Sequence, residues 1–188
     1  MSILIFNGSL DRRSQSTANS ISTYLKQHLE EKGITATVFN LADAHVPFFD
    51  ATLPETPKSV ELMVHEFRKS DLHIWLSPLY HGGMTGAMKN SLDWLEISRE
   101  SWGPYLTGKV VGLVCWADGG YAIQGINAMD AVARSLRAWT LPFFVPAVRN
   151  EIYDEEGRIS PNYQKKFELL VQLLTDSKKT GIENKVSC

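Results

Sequence analysis

The sequence predicts a doubly wound α/β fold, in which helices cover both faces of a five-stranded parallel sheet. Short apolar runs rich in Val and Ile indicate strands, and each is followed by a segment with apolar residues at helical spacing. The strand and helix patterns alternate regularly along the chain. Because the runs are apolar throughout, we expect strands that are buried on both faces, as in a parallel sheet.

Five predicted strands account for the apolar runs. These runs are flanked by turn residues, such as Asn7-Gly8 after the first strand and Pro142 and Pro146 on either side of the fifth. In chain order the strands are Ile3 to Phe6, Ile34 to Phe39, Leu72 to Leu76, Val110 to Trp116 and Phe143 to Val145.

Five predicted helices alternate with these strands. The first begins near Ser16 and ends at Gly33, because glycine is common just beyond a helix C-terminus. The other four are marked by apolar residues over 60–67, 87–97, 126–136 and 167–174. A chain of 188 residues is close to the size of one domain, so we expect a single domain with a polar tail from about residue 178.

Composition and charge exclude several classes of function. The net charge is -2, the pI is about 6.2 and there is no basic block, so nucleic acid is not an expected partner. No apolar stretch approaches the roughly 18 residues of a membrane span. The N-terminus does not resemble a signal peptide, and Cys115 and Cys188 form no disulfide framework, which predicts a cytoplasmic protein with reduced thiols. The five histidines are too scattered to predict a metal site.

Three loops follow the carboxyl ends of predicted strands, where open α/β sheets bind their ligands. They are 7–17, 77–86 and 116–121, and all are rich in glycine or hydroxyl residues. The first brings hydroxyl groups to a helix N-terminus, where unpaired N–H groups and the helix dipole favour a phosphate. The alternative is one N-capping hydroxyl among solvated loop residues, and the loop alone leaves both interpretations open. The four hydroxyl residues are Ser9, Ser14, Ser16 and Thr17.

The sequence lacks the residues that define several other classes of phosphate-binding protein and the serine hydrolases. The first loop has neither the lysine nor the glycine spacing of a P-loop, and no GxGxxG occurs in the chain. Acidic residues that a phosphoacceptor receiver domain needs are absent from the ends of the first and third strands. No histidine follows His81, so a serine hydrolase would lack its base.

The second and third loops suit a planar ligand. Pro78 directs the chain outward, Tyr80 offers a flat face, and the neighbouring glycines allow backbone N–H groups to approach closely. Gly119 and Gly120 add a second glycine pair, which taken alone indicates a plain turn at least as well as a binding loop.

Taken together, these motifs resemble those of the NADPH-dependent FMN reductase family of flavodoxin-like proteins. The specific motif is the Pro-x-Tyr-His-Gly loop running into Lys-Asn-x-x-Asp-Trp, and the similarity extends from Ile3 to about Val145. The resemblance implies strand order 2-1-3-4-5, FMN as cofactor and NADPH or NADH as electron donor. It also implies a homodimer or homotetramer, for which Trp102, Tyr105 and Trp139 are candidate contact residues.

The resemblance further implies where FMN lies. Its phosphate would bind near the four hydroxyl residues of the first loop, and no side chain is required as an acid or base. Tyr80 and His81 would shape the face on which nicotinamide and acceptor stack in turn. The ring would lie along Pro78, Leu79, Tyr80, His81, Gly82 and Gly83, with its pyrimidine edge facing Ala117, Asp118, Gly119 and Gly120.

Two positions depart from the family's pattern: Leu79 follows Pro78 where many members carry Glu, and Asp11 lies in the first loop. The family usually carries arginine two residues after the loop serine, and this chain carries Asp11 there, followed by Arg12 and Arg13. We expect Asp11 to point away from the phosphate and a neighbouring arginine to substitute for the missing one.

The sequence therefore predicts an NAD(P)H-dependent, FMN-containing oxidoreductase that reduces a small acceptor such as free flavin or a quinone. Two alternatives belong to other classes: an FMN-binding electron carrier or redox sensor without significant turnover, and a phosphate-ligand binding module without flavin. A visible spectrum distinguishes a flavoprotein from the phosphate-binding module without flavin. NADPH consumption distinguishes the oxidoreductase from the electron carrier or redox sensor.

Overall fold

The structure, a computed structural model, describes residues 1–179 and contains a parallel sheet in the order β2-β1-β3-β4-β5, with β6 also paired to β4. This confirms the predicted strand order and adds a sixth strand. The strands are β1 (Ser2–Asn7), β2 (Thr35–Asn40), β3 (Leu72–Pro78), β4 (Val110–Ala117), β5 (Trp139–Thr140) and β6 (Val145–Val148).

Helices cover both faces of the sheet, as predicted. Helices α1 and α6 pack on one face, and α3, α4 and α5 pack on the other, so two apolar clusters flank the central strands. The helices are α1 (Thr17–Glu31), α2 (Leu41–Ala44), α3 (Lys58–Lys69), α4 (Gly86–Asp93), α5 (Ala122–Ser135) and α6 (Pro161–Lys179), with 3-10 helices at Trp94–Ser98 and Arg149–Glu151.

The fifth predicted strand is wrong in its bounds. Two short strands, β5 and β6, both pair with β4 there, and Phe143 and Phe144 lie between them outside any strand. Pro146 does not end the strand. Strand β6 pairs with β4 on one side only, and a proline is tolerated in such an edge strand because its missing N–H is not needed for pairing. The consequence is that the carboxyl end of the strand moves from Val145 to Val148.

The predicted helix over 87–97 is shorter than expected. Helix α4 ends at Asp93, and the chain tightens into a 3-10 helix where Trp94 is anchored. Its indole N–H donates to Pro47 O at 2.9 Å, and its ring meets Phe49 edge-on at 5.1 Å between centroids. Side-chain packing to the β2–α3 connection therefore overrides the helical pattern of the sequence.

The strand register brings the ligand-binding loops to one edge of the sheet. Asn7 lies beside Leu76, Pro78 beside Trp116, and Ala117 beside Val148. The segments that follow β1, β3, β4 and β6 consequently emerge together at their carboxyl ends.

No helix within residues 1–179 combines the length and apolarity of a membrane span. Of the predicted polar tail, Lys178 and Lys179 belong to α6. Residues 180–188, including Cys188, lie outside the described residues.

Candidate functional site

Hydrogen bonds hold the first loop, which in the structure spans 8–16 between β1 and α1, against the sheet edge. The Asn7 carboxamide accepts from the Ser9 amide at 3.0 Å and donates to Asn40 Oδ1 at 2.9 Å. The Gly8 amide donates to Leu76 O at 2.8 Å. The loop is thus fixed to both neighbouring strands before it reaches α1.

Two buried hydroxyl groups, those of Ser9 and Ser16, lie on this loop. Ser9 Oγ accepts from the Asp11 amide at 3.1 Å, and Ser16 Oγ accepts from the Asn19 amide at 3.3 Å as the N-cap of α1. Each hydroxyl accepts in these bonds, so its own proton remains available to a ligand. Helix geometry also leaves the first-turn amides of Thr17 and Ala18 without intrahelical acceptors.

Asp11, which we expected to point away from the phosphate, lies at the candidate phosphate site. Asp11 lines the cleft, and Arg13 folds over it with Nε 2.9 Å from Oδ1 and Nη2 2.5 Å from Oδ2. Hydrogen bonds from the Arg13 side chain and backbone lower the pKa of Asp11 to about 2. Arg12 turns to the other side of the loop and donates to Ala42 O at 2.9 and 2.6 Å. The acidic group is tolerated because the adjacent guanidinium compensates its charge.

The second loop forms a tight turn. Tyr80 and Gly83 exchange two backbone hydrogen bonds of 3.0 Å, and between them His81 and Gly82 adopt φ of 48° and 85°. Positive φ at both central positions is typical of a type I′ turn, in which glycine is favoured and histidine is tolerated. The turn leaves the Tyr80 side chain 60% exposed at the mouth of the cleft.

Hydrogen bonds connect the second loop to the first. The buried Thr85 hydroxyl, which caps α4, donates to Gly8 O at 2.6 Å. The Thr85 amide donates to Ser77 Oγ at 3.1 Å, and the Leu79 amide donates to Trp116 O at 2.8 Å. The two loops and the end of β4 therefore form one connected rim.

The third loop is open. Ala117 is the buried last residue of β4, whereas Asp118, Gly119 and Gly120 are exposed. A Cβ atom added at Gly119 or Gly120 would meet no heavy atom within 4 Å. Their backbone groups can therefore be approached by a ligand from outside.

A cleft of about 510 Å³ lies between these loops. It brings together six of the residues proposed from the sequence and adds Arg149, which sequence reasoning missed. The other eight do not line it and lie at the end of β4 or on the adjoining loops: Leu79, His81, Gly82, Gly83, Ala117, Asp118, Gly119 and Gly120. Its lining is Ser9, Asp11, Arg13, Ser14, Gln15, Ser16, Thr17, Ala18, Pro78, Tyr80, Trp116 and Arg149.

Arg149 could have been found from the sequence only with the correct end of the last strand. It follows Val148 immediately, and Val145 to Val148 is a short β-branched segment interrupted by Pro146. Its Nε lies 3.2 Å from Asp118 Oδ1, so it also connects the end of β6 to the third loop.

Within the described residues, the buried cysteine does not line this cleft. Burial raises the pKa of the Cys115 thiol to about 12, so the thiolate nucleophile is not formed near neutral pH. Within residues 1–179, no three His, Cys, Asp or Glu side chains are grouped so that they could hold a metal ion.

Residues 1–151 match the family model of NADPH-dependent FMN reductases, which covers most of the chain and all of the loops described above. The chain belongs to this family. Membership identifies FMN and NADPH as the cofactors and the protein as an NAD(P)H–FMN oxidoreductase.

Two curated relatives carry related descriptions. The chain is 29% identical over 175 residues to the NADPH-dependent FMN reductase ArsH of Rhizobium meliloti, covering 92% of this chain and 70% of the relative. It is 30% identical over 144 residues to the FMN-dependent NADPH-azoreductase of Staphylococcus saprophyticus, covering 74% and 72% of the two chains.

Solved structures agree on the fold. The flavoenzyme NAD(P)H:(acceptor) oxidoreductase FerB of Paracoccus denitrificans superposes with a TM-score of 0.74 at 16% identity, covering 95% of this chain and 97% of FerB. A flavodoxin from the domain Archaea superposes with a TM-score of 0.55 at 11% identity, covering 95% and 99% of the two chains.

Proposed function

We propose that this FMN reductase family member binds FMN in the cleft between α1 and the second loop and passes hydride equivalents from NADPH to a small conjugated acceptor, such as free flavin or a quinone. The observation that carries the proposal is the cleft itself. It joins buried hydroxyl groups at a helix N-terminus to Pro78 and Tyr80 at the carboxyl edge of the sheet. Chain 1–188 then functions as a single FMN-binding domain.

The FMN phosphate binds the first loop in this proposal. Ser9 and Ser16 donate the protons that their acceptor bonds leave free, and Ser14 and Thr17 add hydroxyl groups at the cleft surface. The α1 dipole and the first-turn amides favour the dianion. The donor set therefore fits a phosphate monoester.

The residues from Pro78 to Gly83 would hold the isoalloxazine ring, and the third loop would face its pyrimidine edge. The amides of Gly119 and Gly120 would donate to the N1 and C2 carbonyl region, and an added Cβ atom at either glycine would find open space around it. Backbone donors aimed at a site of negative charge stabilise that charge without reorganising. When bound, FMN supplies the hydride-accepting and hydride-donating chemistry, and the chain supplies position and electrostatics.

Tyr80 and His81 bound the face on which the nicotinamide and the acceptor would stack. The Tyr80 ring is exposed, and the turn fixes the backbone of both residues. A single open face over one ring accommodates donor or acceptor in turn. The relatives described as reductases of FMN and of azo compounds are consistent with acceptors that are small and conjugated.

We also propose a homo-oligomer, a homodimer or homotetramer. Large apolar side chains are exposed on this chain, including Phe48 at 89% and Trp102 at 81%. Burial of such side chains against a second copy would remove apolar area from water.

Steady-state kinetics test the proposed reaction. With NADPH and a quinone as the varied substrates and FMN bound, we expect parallel double-reciprocal lines, since donor and acceptor use the same face in turn. Intersecting lines would contradict a shared face. Binding of FMN without NADPH consumption in the presence of flavin or quinone acceptors would instead indicate an electron carrier or redox sensor.

A further inference from the structure

Arg149 is brought to the flavin cleft by the register of the last strand. Val148 pairs with Ala117, so the residue after β6 emerges beside the third loop and faces the first. Arg149 lines the same cleft as Ser9 and Ser16, although more than 130 residues separate them in the chain. Its position is therefore set by the sheet and not by a local motif.

The arginines of the first loop are already engaged. Arg12 uses two of its N–H groups on Ala42 O, away from the cleft. Arg13 is held by both carboxylate oxygens of Asp11, so the pair contributes little net charge. Among the described residues that line the cleft, Arg149 is the remaining cation.

The partner of Arg149 holds it weakly. Nε lies 3.2 Å from Asp118 Oδ1, but its N–H is not directed at that oxygen, and the enclosed Nε makes no hydrogen bond. The Asp118 side chain is 77% exposed and that of Arg149 is 39% exposed. An ion pair with such an exposed partner contributes little to stability, so a better acceptor can replace it.

The charge of Arg149 also acts on the first loop. Its guanidinium is one of the groups that lower the pKa of Asp11. A cation that stabilises this carboxylate will likewise stabilise an anion bound next to it.

We propose that Arg149 binds a phosphate monoester in the cleft and exchanges its contact with Asp118 for the phosphate oxygens. The inference rests on the proposed function, in which two phosphate monoesters reach this site. These are the 5′-phosphate of FMN and the 2′-phosphate of NADPH. Both are doubly charged and present pairs of terminal oxygens that the planar guanidinium can bind in bidentate fashion.

The test compares ligands with and without the phosphate. Dissociation constants of FMN and riboflavin are measured by flavin fluorescence for the wild type and for Arg149→Gln, and KM values are measured for NADPH and NADH. The control is Arg134→Gln, because Arg134 is an exposed arginine that pairs with Asp130 on α5 and does not line the cleft. It reports the effect of removing a positive charge elsewhere.

We expect Arg149→Gln to weaken FMN binding on the order of tenfold to a hundredfold and to leave riboflavin binding unchanged. A selective rise in the KM for NADPH, with that for NADH unchanged, would assign Arg149 to the 2′-phosphate. Equal losses for FMN and riboflavin, or no change in any of the four constants, would overturn the proposal. Failure of the wild type to bind FMN would overturn the proposed function itself.

Asp118→Asn provides a test of opposite sign. If Asp118 competes with the phosphate for Arg149, removing its charge should tighten binding of the same ligand on the order of threefold to tenfold. In the Arg149→Gln background the gain should disappear, because Asp118 affects phosphate binding only by competing for Arg149. A gain of equal size in both backgrounds would contradict the exchange of partners.

Discussion

The hydroxyl groups of Ser9 and Ser16 differ from ordinary loop serines in being buried while their protons remain free. The Ser9→Ala, Ser16→Ala double variant should weaken FMN binding on the order of tenfold to a thousandfold, since each charge-assisted bond contributes roughly 1.5–3 kcal/mol. Ser16→Ala also removes the cap on Asn19 N and should lower the free energy of unfolding by about 1 kcal/mol. Fluorescence titrations and urea unfolding measure the two effects.

Riboflavin is the ligand control for this variant, and Ser20→Ala is the protein control, because Ser20 lies on α1 but does not line the cleft. Equal losses of FMN and riboflavin affinity would mean that the first loop does not hold the phosphate.

Asp11 places a carboxylate in the cleft, at a position where the family resemblance implies arginine. Replacing it by Asn removes a negative charge from the cleft and releases Arg13, so FMN should bind more tightly on the order of tenfold while riboflavin affinity changes little. The pKa of Asp11 is lowered to about 2, so the carboxylate stays charged above about pH 4. The difference between the two proteins should therefore be constant from pH 7 to 8 and smaller at pH 5, where the FMN phosphate has lost its second charge. An Asn variant with weaker FMN binding would show that Asp11 positions the loop and does not oppose the phosphate.

At the scale of elements, strands and helices were more predictable than their ends. Apolar runs and helical spacing identify β1, β3 and β4 because these are buried on both faces. The division of the fifth strand could not be predicted, because a proline that interrupts an internal strand is acceptable in an edge strand. That single error hid Arg149, since the residue belongs to the site only if β6 extends to Val148.

The candidate site was predictable to the level of loops. The hydroxyl residues at the start of α1 and the Tyr80 turn follow from residue type and position in the chain. The orientation of Asp11 could not be predicted, because it depends on whether Arg12 or Arg13 turns toward the carboxylate. The two arginines are adjacent in the chain, so the local sequence does not distinguish them.

The central strand β3 carries a buried histidine that should make the fold sensitive to acid. His73 is fully buried and packs against Phe67, at 5.3 Å between ring centroids. Burial, and to a lesser extent the charge of Lys109, lowers its pKa to about 3. The unfolded chain has a histidine pKa near 6.5 and takes up the proton first, so stability falls as the pH decreases from about 6.5 toward 3.

The His73→Leu variant should lack this part of the pH dependence. When the pH is lowered from 7 to 5, the variant should lose about 2 kcal/mol less unfolding free energy than the wild type. Urea unfolding at constant FMN measures this difference. His65→Gln, at an exposed position of α3, is the matched control and should follow the wild type. Parallel pH profiles for His73→Leu and wild type would show that His73 does not titrate differently in the two states.

At the scale of the whole molecule, the parallel sheet collects at one edge what the chain keeps far apart. Ser9, Tyr80 and Arg149 follow three different strands and line one cleft. Family membership identifies FMN and NADPH, and we propose that this cleft is where the flavin binds.

An anaerobic titration of the FMN-loaded protein with NADPH, followed by visible absorbance, tests the central claim most directly. We expect the flavin absorption to disappear with about one equivalent of NADPH per bound FMN and to return when a quinone is added, because one hydride carries the two electrons that the ring accepts. Flavin that remains bound and oxidised in excess NADPH would contradict the proposed reaction.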